Sequence, residues 1–353
     1  MTYVSQERSQ LAVAELASHA RAASRVLGKL TNQGRNEVLI ALAKAIEHDS
    51  NKILEANERD YRAAEPAVTA GTMSSAMLAR LRISERAVGE MATRVRDVAR
   101  LPDPLGRRLA TTELDDGLVL YKESCPLGVI GIVFESRPDV VPQVAALALK
   151  SGNAVLLKGG TEAAHTNQAL VATWCECLTA FPSVPVDSIH LLQTRSDVME
   201  LLTLHRDVDL IIPRGGRELV QFVAQNSRIP VLGHGEGICH VYIDRTADIE
   251  KALRITLDSK VQYPAACNAA ETLLIHQDIA REFLPRAFSK LRDAGVEVRG
   301  CSRTVALLAK PDVVPATEDD WATEYSDLIL SVKIVADADE AIAHIHRYGS
   351  GHT

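Results

Sequence analysis

The sequence has no regular cysteine framework. Its six cysteines fall singly or as Cys175-Glu-Cys177 along 353 residues. A small disulfide-stapled fold is excluded, and so few scattered cysteines read as a reduced, intracellular and therefore cytoplasmic protein. Long apolar runs are missing too. No segment reaches the ~18 uninterrupted apolar residues of a membrane span. Glu7, Arg8, Glu15, Arg21 and Arg25 interrupt the start, which lacks the apolar stretch of a signal peptide. There is no excess of basic charge: 39 Lys and Arg against 46 Asp and Glu leave a net charge of −7. That argues against a nucleic-acid binder, which needs a basic face to displace counterions. Internal repeats and low-complexity tracts are absent. So is Gly-x-Gly-x-x-Gly, the usual dinucleotide fingerprint.

What is present is ordinary for a globular chain of about two domains: 46% hydrophobic and 24% charged residues. The first hundred residues read as helical. Val38, Leu39, Leu42, Ile46, Ile53 and Leu54 recur at three- and four-residue steps until Leu101-Pro-Asp-Pro-Leu-Gly106 breaks the pattern. Residues 109–112 and 118–122, around Asp115-Asp-Gly117, read as an exposed hairpin of the kind that pairs with another subunit. From Gly128 onward, short apolar strands alternate with helices, which implies βαβ crossovers and a parallel sheet. A second α/β unit begins near Val231.

Four segments can carry chemistry. Lys158-Gly-Gly160 closes a strand, at the end where open α/β sheets bind ligands; a lysine there suits a phosphate or ribose hydroxyl, or is simply a solvated side chain on a glycine turn. Arg214-Gly-Gly216, with Arg217, leads from a strand into a helix, an arrangement that fits an anion or a plain connection. Gly233-His-Gly-Glu-Gly237, followed by Cys239 and His240, lacks zinc-site spacing and reads as a tight loop; no metal is expected. Cys267 lies in Gln262-Tyr-Pro-Ala-Ala-Cys-Asn-Ala-Ala-Glu271, where small residues leave room for a substrate beside the sulfur. It reads as a nucleophile or as a buried structural thiol.

In this order, the segments resemble the aldehyde dehydrogenase superfamily, and within it the γ-glutamyl phosphate reductase family. The runs that carry the likeness are PLGVIGIVFESRPDVVPQVAALALKSGNAVLLKGG (126–160), VDLIIPRGG (208–216), PVLGHGEGICHVYID (230–244), QYPAACNAAETLLIH (262–276), TEYSDLILSVKIV (323–335) and the terminal RYGSGHT. The resemblance implies an aldehyde-dehydrogenase-like α/β fold. Its parts would be a Rossmann-type NADP-binding domain (1–106 and 127–230), an oligomerisation hairpin (107–126) and an α/β catalytic domain (231–353). It implies Cys267 as catalytic cysteine, with Asn268 or Ser136 aiding the oxyanion. Lys158 and Gly159 fall at the adenosine ribose or its 2′-phosphate, Arg214, Gly215 and Gly216 near the pyrophosphate, and Glu324 at the nicotinamide ribose. Arg137, His234 and Glu236 are expected at the substrate.

The implied reaction is NADPH-dependent reduction of L-glutamyl 5-phosphate to the semialdehyde and phosphate, the second step of proline biosynthesis, on a small-molecule substrate with no nucleic acid or membrane partner. Aldehyde oxidisers carry a water-activating glutamate where His234 stands, with Glu236 nearby. Its replacement suits an acyl-enzyme that must meet hydride and not water. The rival readings are an aldehyde-oxidising dehydrogenase, a catalytically silent assembly subunit and a reductase of a related acyl phosphate. A glutamate 5-kinase partner and a homo-oligomer are further expectations. Family members run on beyond the Gly-Ser-Gly-His-Thr end, so the last part of the catalytic domain, and with it some oligomer strength, is expected to be missing.

Overall fold

A computed structural model describes residues 11–71, 73, 78, 80–135, 137–233 and 236–352. The chain divides into two compact units, Met1–Gly233 and His234–Thr353.

The first unit opens with four helices: α1 (Val13–Leu27), α2 (Asn32–His48), α3 (Ser50–Thr69) and α4 (Glu85–Arg100). Their apolar stripes are buried, as the sequence periodicity requires. Val38, Leu39, Leu42 and Ile46 of α2 all lie in the core. Side chains close the helix starts. Thr31 accepts from the Gly34 N–H at 3.1 Å, and Ser84 from the Ala87 N–H at 3.2 Å.

A two-stranded ribbon follows, β1 (Arg108–Asp115) and β2 (Leu118–Glu123), exposed along its whole length. Its turn is Asp116-Gly117, and Gly117 sits at φ +74°. Only glycine takes that left-handed conformation without strain, which is why Asp-Gly makes the turn.

The sheet of this unit is wholly parallel. Its strands β3 (Val129–Phe134), β4 (Ala154–Lys158), β5 (Ile189–Leu191) and β6 (Leu210–Arg214) stand in the order β5-β4-β3-β6. Every residue of β3 and β4 is buried, since helices cover both faces of such a sheet. Helices α5 (Val140–Lys150), α6 (Ala164–Leu178), α7 (Arg195–Leu201) and α8 (Arg217–Asn226) make the crossovers. The start of α6 is capped from a distance. Buried Asp60, on α3, accepts from the N–H groups of His165 at 3.0 Å and Thr166 at 2.7 Å. From β3 the chain builds outward through β4 and β5 on one side, then crosses back to place β6 on the other side of β3. The carboxyl ends of β3 and β6 therefore frame the switch point where open α/β sheets hold ligands.

The second unit is a five-stranded parallel sheet of β7 (Cys239–Ile243), β8 (Ala270–His276), β9 (Glu297–Gly300), β10 (Val313–Pro315) and β11 (Ile329–Val335), in the order β10-β9-β11-β8-β7. Helices α9 (Ile249–Val261), α10 (Gln277–Asp293), α11 (Ser302–Leu308) and α12 (Ala338–Tyr348) alternate with the strands. Leu273 and Ile275 of β8 pack with Leu253, Phe283, Leu291, Val298 and Val332 in one core. Among the described residues, no helix is long and apolar enough to cross a membrane.

Candidate functional site

In the second unit the chemistry gathers on the connection from α9 to β8. Residues 262–269 form a tight turn in which the Ala266 N–H donates to the Tyr263 carbonyl at 3.0 Å and the Ala269 N–H to the Ala266 carbonyl at 2.9 Å. Cys267 is exposed at its crest, and Asn268 is exposed beside it. Cys267 is therefore not a buried cysteine.

The backbone behind Cys267 is clasped. The Cys239 thiol donates to the Cys267 carbonyl at 3.4 Å. Gly237 lies against the same carbonyl, so close that a Cβ built on it would stand 1.9 Å from that oxygen. This is why glycine is needed there: the chain has no room for a side chain. The Gly237 N–H in turn donates to Glu324 Oε2 at 2.9 Å, and the Ile238 N–H to Ser350 Oγ at 3.1 Å. Cys267, Gly237 and Glu324, 87 residues apart at the extremes of that last pair, thus share one neighbourhood. Glu236 is half-buried next to Gly237. His234 lies outside the described residues.

Two buried charges stand close by in the chain. Lys260, at the end of α9, donates to Glu271 Oε2 at 2.8 Å, and both side chains are almost wholly enclosed, at 0% and 1% exposure. The other oxygen, Glu271 Oε1, accepts from the Ser326 N–H at 3.2 Å. Burial raises the Glu271 carboxyl above its ordinary range, while Lys260 pulls the other way. Local sequence announces neither residue of the pair, since the strand that holds Glu271 also carries the polar Thr272 and His276.

In the first unit, the carboxyl ends of β3, β4 and β6 carry the expected cofactor residues. Lys158 ends β4 and is buried; its Nζ donates to the Gly159 carbonyl. Burial pushes its ammonium below the ordinary lysine range, and the carboxylates of Glu162 and Asp197 oppose this. Gly159 is a close approach, since a Cβ there would lie 2.2 Å from Asn167 Nδ2. Arg214 is exposed at the end of β6 and is paired in register with Phe134 of β3. Gly215 and Gly216 then lead into α8, with Gly216 as its N-cap.

Glu135, which follows β3, was not evident from the sequence. Its N–H donates to the Arg214 carbonyl at 3.2 Å, and its Oε2 accepts from the Gly216 N–H at 2.9 Å. The carboxylate ties the two strand ends of the switch point together. Arg137 is exposed and lies 3.6 Å from the Asp139 carboxylate. Ser136 lies outside the described residues.

These elements fit a dinucleotide. The strand order places a switch point at β3 and β6, Gly216 has nothing among the described residues nearer to a built Cβ than Glu135 Oε2 at 3.9 Å, and a ten-residue helix starts there. The first backbone N–H groups of a helix have no partners within it and favour an anion. Asn167 Oδ1, beside Gly159, is buried with no hydrogen-bond partner among the described residues.

Residues 2–299 match the profile of the aldehyde dehydrogenase family. The chain belongs to that family. A gamma-glutamyl phosphate reductase of Synechococcus sp. (strain JA-3-3Ab) is 52% identical to it over 334 residues, which span 95% of this chain and 73% of that protein. The crystal structure of a gamma-glutamyl phosphate reductase from Thermotoga maritima superposes with a TM-score of 0.91 at 41% identity, over 96% of this chain and 81% of that one. The corresponding Saccharomyces cerevisiae structure gives a TM-score of 0.59 at 33% identity, over 95% of this chain and 83% of that one. The fold expected from the motif order, an aldehyde-dehydrogenase-like α/β architecture with parallel sheets, is the fold observed. Aldehyde dehydrogenase family members are oxidoreductases, and the resemblance read from the motifs extends over nearly the whole chain.

Proposed function

We propose that this chain reduces L-glutamyl 5-phosphate to L-glutamate 5-semialdehyde and phosphate with NADPH, the second step of proline biosynthesis, through a thioacyl intermediate on Cys267. The observation that carries this reading is the accessible Cys267 on a clasped turn of small residues. Relatives named gamma-glutamyl phosphate reductase support the substrate.

The Cys267 thiolate attacks the acyl carbon, forming a C–S bond. The oxyanion is held by the Cys267 backbone N–H with Asn268 or Ser136. On its collapse the C–O bond to phosphate breaks, and phosphate leaves with the electron pair. A bound nicotinamide dinucleotide supplies the hydride that takes the thioester to the aldehyde level. The C–S bond then breaks and returns the thiolate. In this reading Lys158 and Gly159 meet the adenosine ribose or its 2′-phosphate, and Lys158 is what favours the phosphorylated dinucleotide. Arg214, Gly215 and Gly216 hold the pyrophosphate, and Glu324 the nicotinamide ribose. Arg137 and His234 are the residues assigned to the substrate's phosphate and α-carboxylate, and Glu236 is assigned to the substrate site without an anionic partner. The exposed ribbon, with Leu109, Leu114, Leu118 and Leu120 all more than half exposed, serves homo-oligomer assembly. The protein works in the cytoplasm, where a glutamate 5-kinase supplies the acyl phosphate.

The test is Cys267→Ala. It should abolish dinucleotide turnover while the protein stays folded. A variant with near-normal activity would remove Cys267 from the mechanism.

A further inference from the structure

Within the second unit, three segments meet: residues 236–239, the turn that bears Cys267, and residues 324–326. Two of the contacts among them are described above, the seat of Gly237 on the Cys267 carbonyl and the hydrogen bond from the Gly237 N–H to Glu324. The third runs through Glu271. It lies four residues beyond Cys267 and takes the Ser326 N–H on one oxygen and Lys260 on the other. Ser326 stands two residues beyond Glu324. The contacts therefore close a ring from Cys267 through Glu271, Ser326, Glu324 and Gly237 back to Cys267.

The pair is a costly way to hold a fold. Taking two charges out of water is rarely repaid in stability against an apolar replacement of similar size. Glu271 is set into β8 among Leu273, Leu274 and Ile275, all buried and apolar. Lys260 and Glu271 also bracket the Cys267 turn from both sides: one lies in the last turn of the helix before it and the other is the second residue of the strand after it. Ser326 adopts φ +52°, a left-handed conformation that residues other than glycine seldom take. Strain of that kind persists where surrounding contacts over-determine it, and it gathers at functional sites.

We propose that Lys260 and Glu271 are positioning residues: through Ser326 they lock the Glu324 segment, and with it Gly237, against the Cys267 turn and so set the orientation of the nucleophile. The proposal rests on the reading of Cys267 as the nucleophile. It concerns a pair whose side chains are almost wholly enclosed.

The test compares Glu271→Gln with the double variant Lys260→Met/Glu271→Leu, in the full chain. Glu271→Gln keeps one acceptor oxygen and loses the charge. The double variant replaces the ion pair by apolar groups of similar volume, which folded cores tolerate. The first readout is the rate at which iodoacetamide alkylates Cys267, followed on its own peptide by mass spectrometry. The expected result for the double variant is an intact circular dichroism spectrum, an alkylation rate changed at least fivefold and kcat lowered at least tenfold. The KM for the dinucleotide should rise as well, because the pair holds the segment of Glu324, the residue proposed at the nicotinamide ribose. Glu271→Gln should fall between this variant and the parent. A folded double variant with alkylation rate and kcat both within twofold of the parent overturns the proposal. So does a variant that loses thermal stability with Cys267 reactivity unchanged. Alkylation needs no turnover, so a parent enzyme without phosphate-dependent activity would remove the proposed reaction and leave this result separately readable.

Discussion

Gly237 is packed against Cys267 so tightly that a single methyl group cannot be added to it: the new carbon would stand 1.9 Å from the Cys267 carbonyl oxygen. That atom belongs to the backbone and has no rotamer to escape into. Gly237→Ala therefore has to push the Cys267 turn away or unseat its own segment. Overpacking of this kind costs about 1–3 kcal/mol. The expected outcome is a thermal midpoint lowered by several degrees and kcat lowered at least tenfold. Steady-state kinetics on a soluble variant checks it, and an unchanged kcat would show that the contact does not set the geometry of the nucleophile.

Glu324 has two jobs in this account, and they separate by substitution. Its Oε2 holds the Gly237 N–H, and the same carboxylate is proposed to hold the nicotinamide ribose. Glu324→Gln keeps an acceptor for the N–H, so the Cys267 alkylation rate should change less than twofold while the KM for the dinucleotide rises severalfold. Glu324→Ala leaves the N–H without its partner, at a cost of about 1–3 kcal/mol, and should change both. Equal effects of the two variants on alkylation would count against the holding role.

Lys158 should discriminate between the two dinucleotides. Its ammonium is buried and destabilised by that burial, so a bound phosphate is a partner it gains from. Lys158→Met should raise the KM for NADPH about tenfold, roughly 1.4 kcal/mol of lost binding, and that for NADH much less. Initial-rate measurements with both cofactors check this. An equal rise for the two would move Lys158 away from the 2′-phosphate.

His344 should make the fold acid-sensitive. Burial pushes its pKa down to about 3, and the neighbouring charges of Lys333, His240 and Arg347 act in the same direction. Lys333 Nζ also donates to its Nδ1 at 3.2 Å, which requires a neutral ring. The unfolded chain takes up this proton near the ordinary value of about 6.5, so it binds more protons than the native state below that pH. Stability contributed by this group is thus whole above pH 6.5 and falls as the pH drops towards 3. At pH 5 the loss is at most about 2 kcal/mol. His344→Phe should lose less of its thermal midpoint than the parent between pH 7 and pH 5. Parallel pH profiles for the two proteins would refute this.

The parallel sheets were legible because their strands are continuous apolar runs. Val129-Ile-Gly-Ile-Val-Phe134 and Thr272-Leu-Leu-Ile275 are buried on both faces and so carry no alternation to confuse with a helix. The ribbon was legible from one dipeptide, Asp-Gly, because the backbone at Gly117 admits little else. By contrast, β10 is three residues long and ends in Pro315, which gives local sequence no pattern to detect. Cys267 was visible as a candidate through the small residues around it. Its clasp was not, because Gly237 and Glu324 reach it from segments distant in the chain, and only the fold brings them together. The same holds for Lys260 and Glu271: on a helix and a strand, their spacing carries no period that either element would announce. Glu135 stayed hidden for a related reason, since its partner Gly216 is 81 residues away.

The central claim is that phosphate, and not water, exchanges with the Cys267 sulfur at the acyl carbon of the thioester. It is tested most directly by running the reaction backwards: NADP⁺ reduction with glutamate 5-semialdehyde, with inorganic phosphate varied from none to saturating. The account predicts a rate that rises with phosphate and vanishes without it, and that Cys267→Ala abolishes. A rate that persists undiminished without phosphate would mean that water resolves the thioester, and would contradict the account.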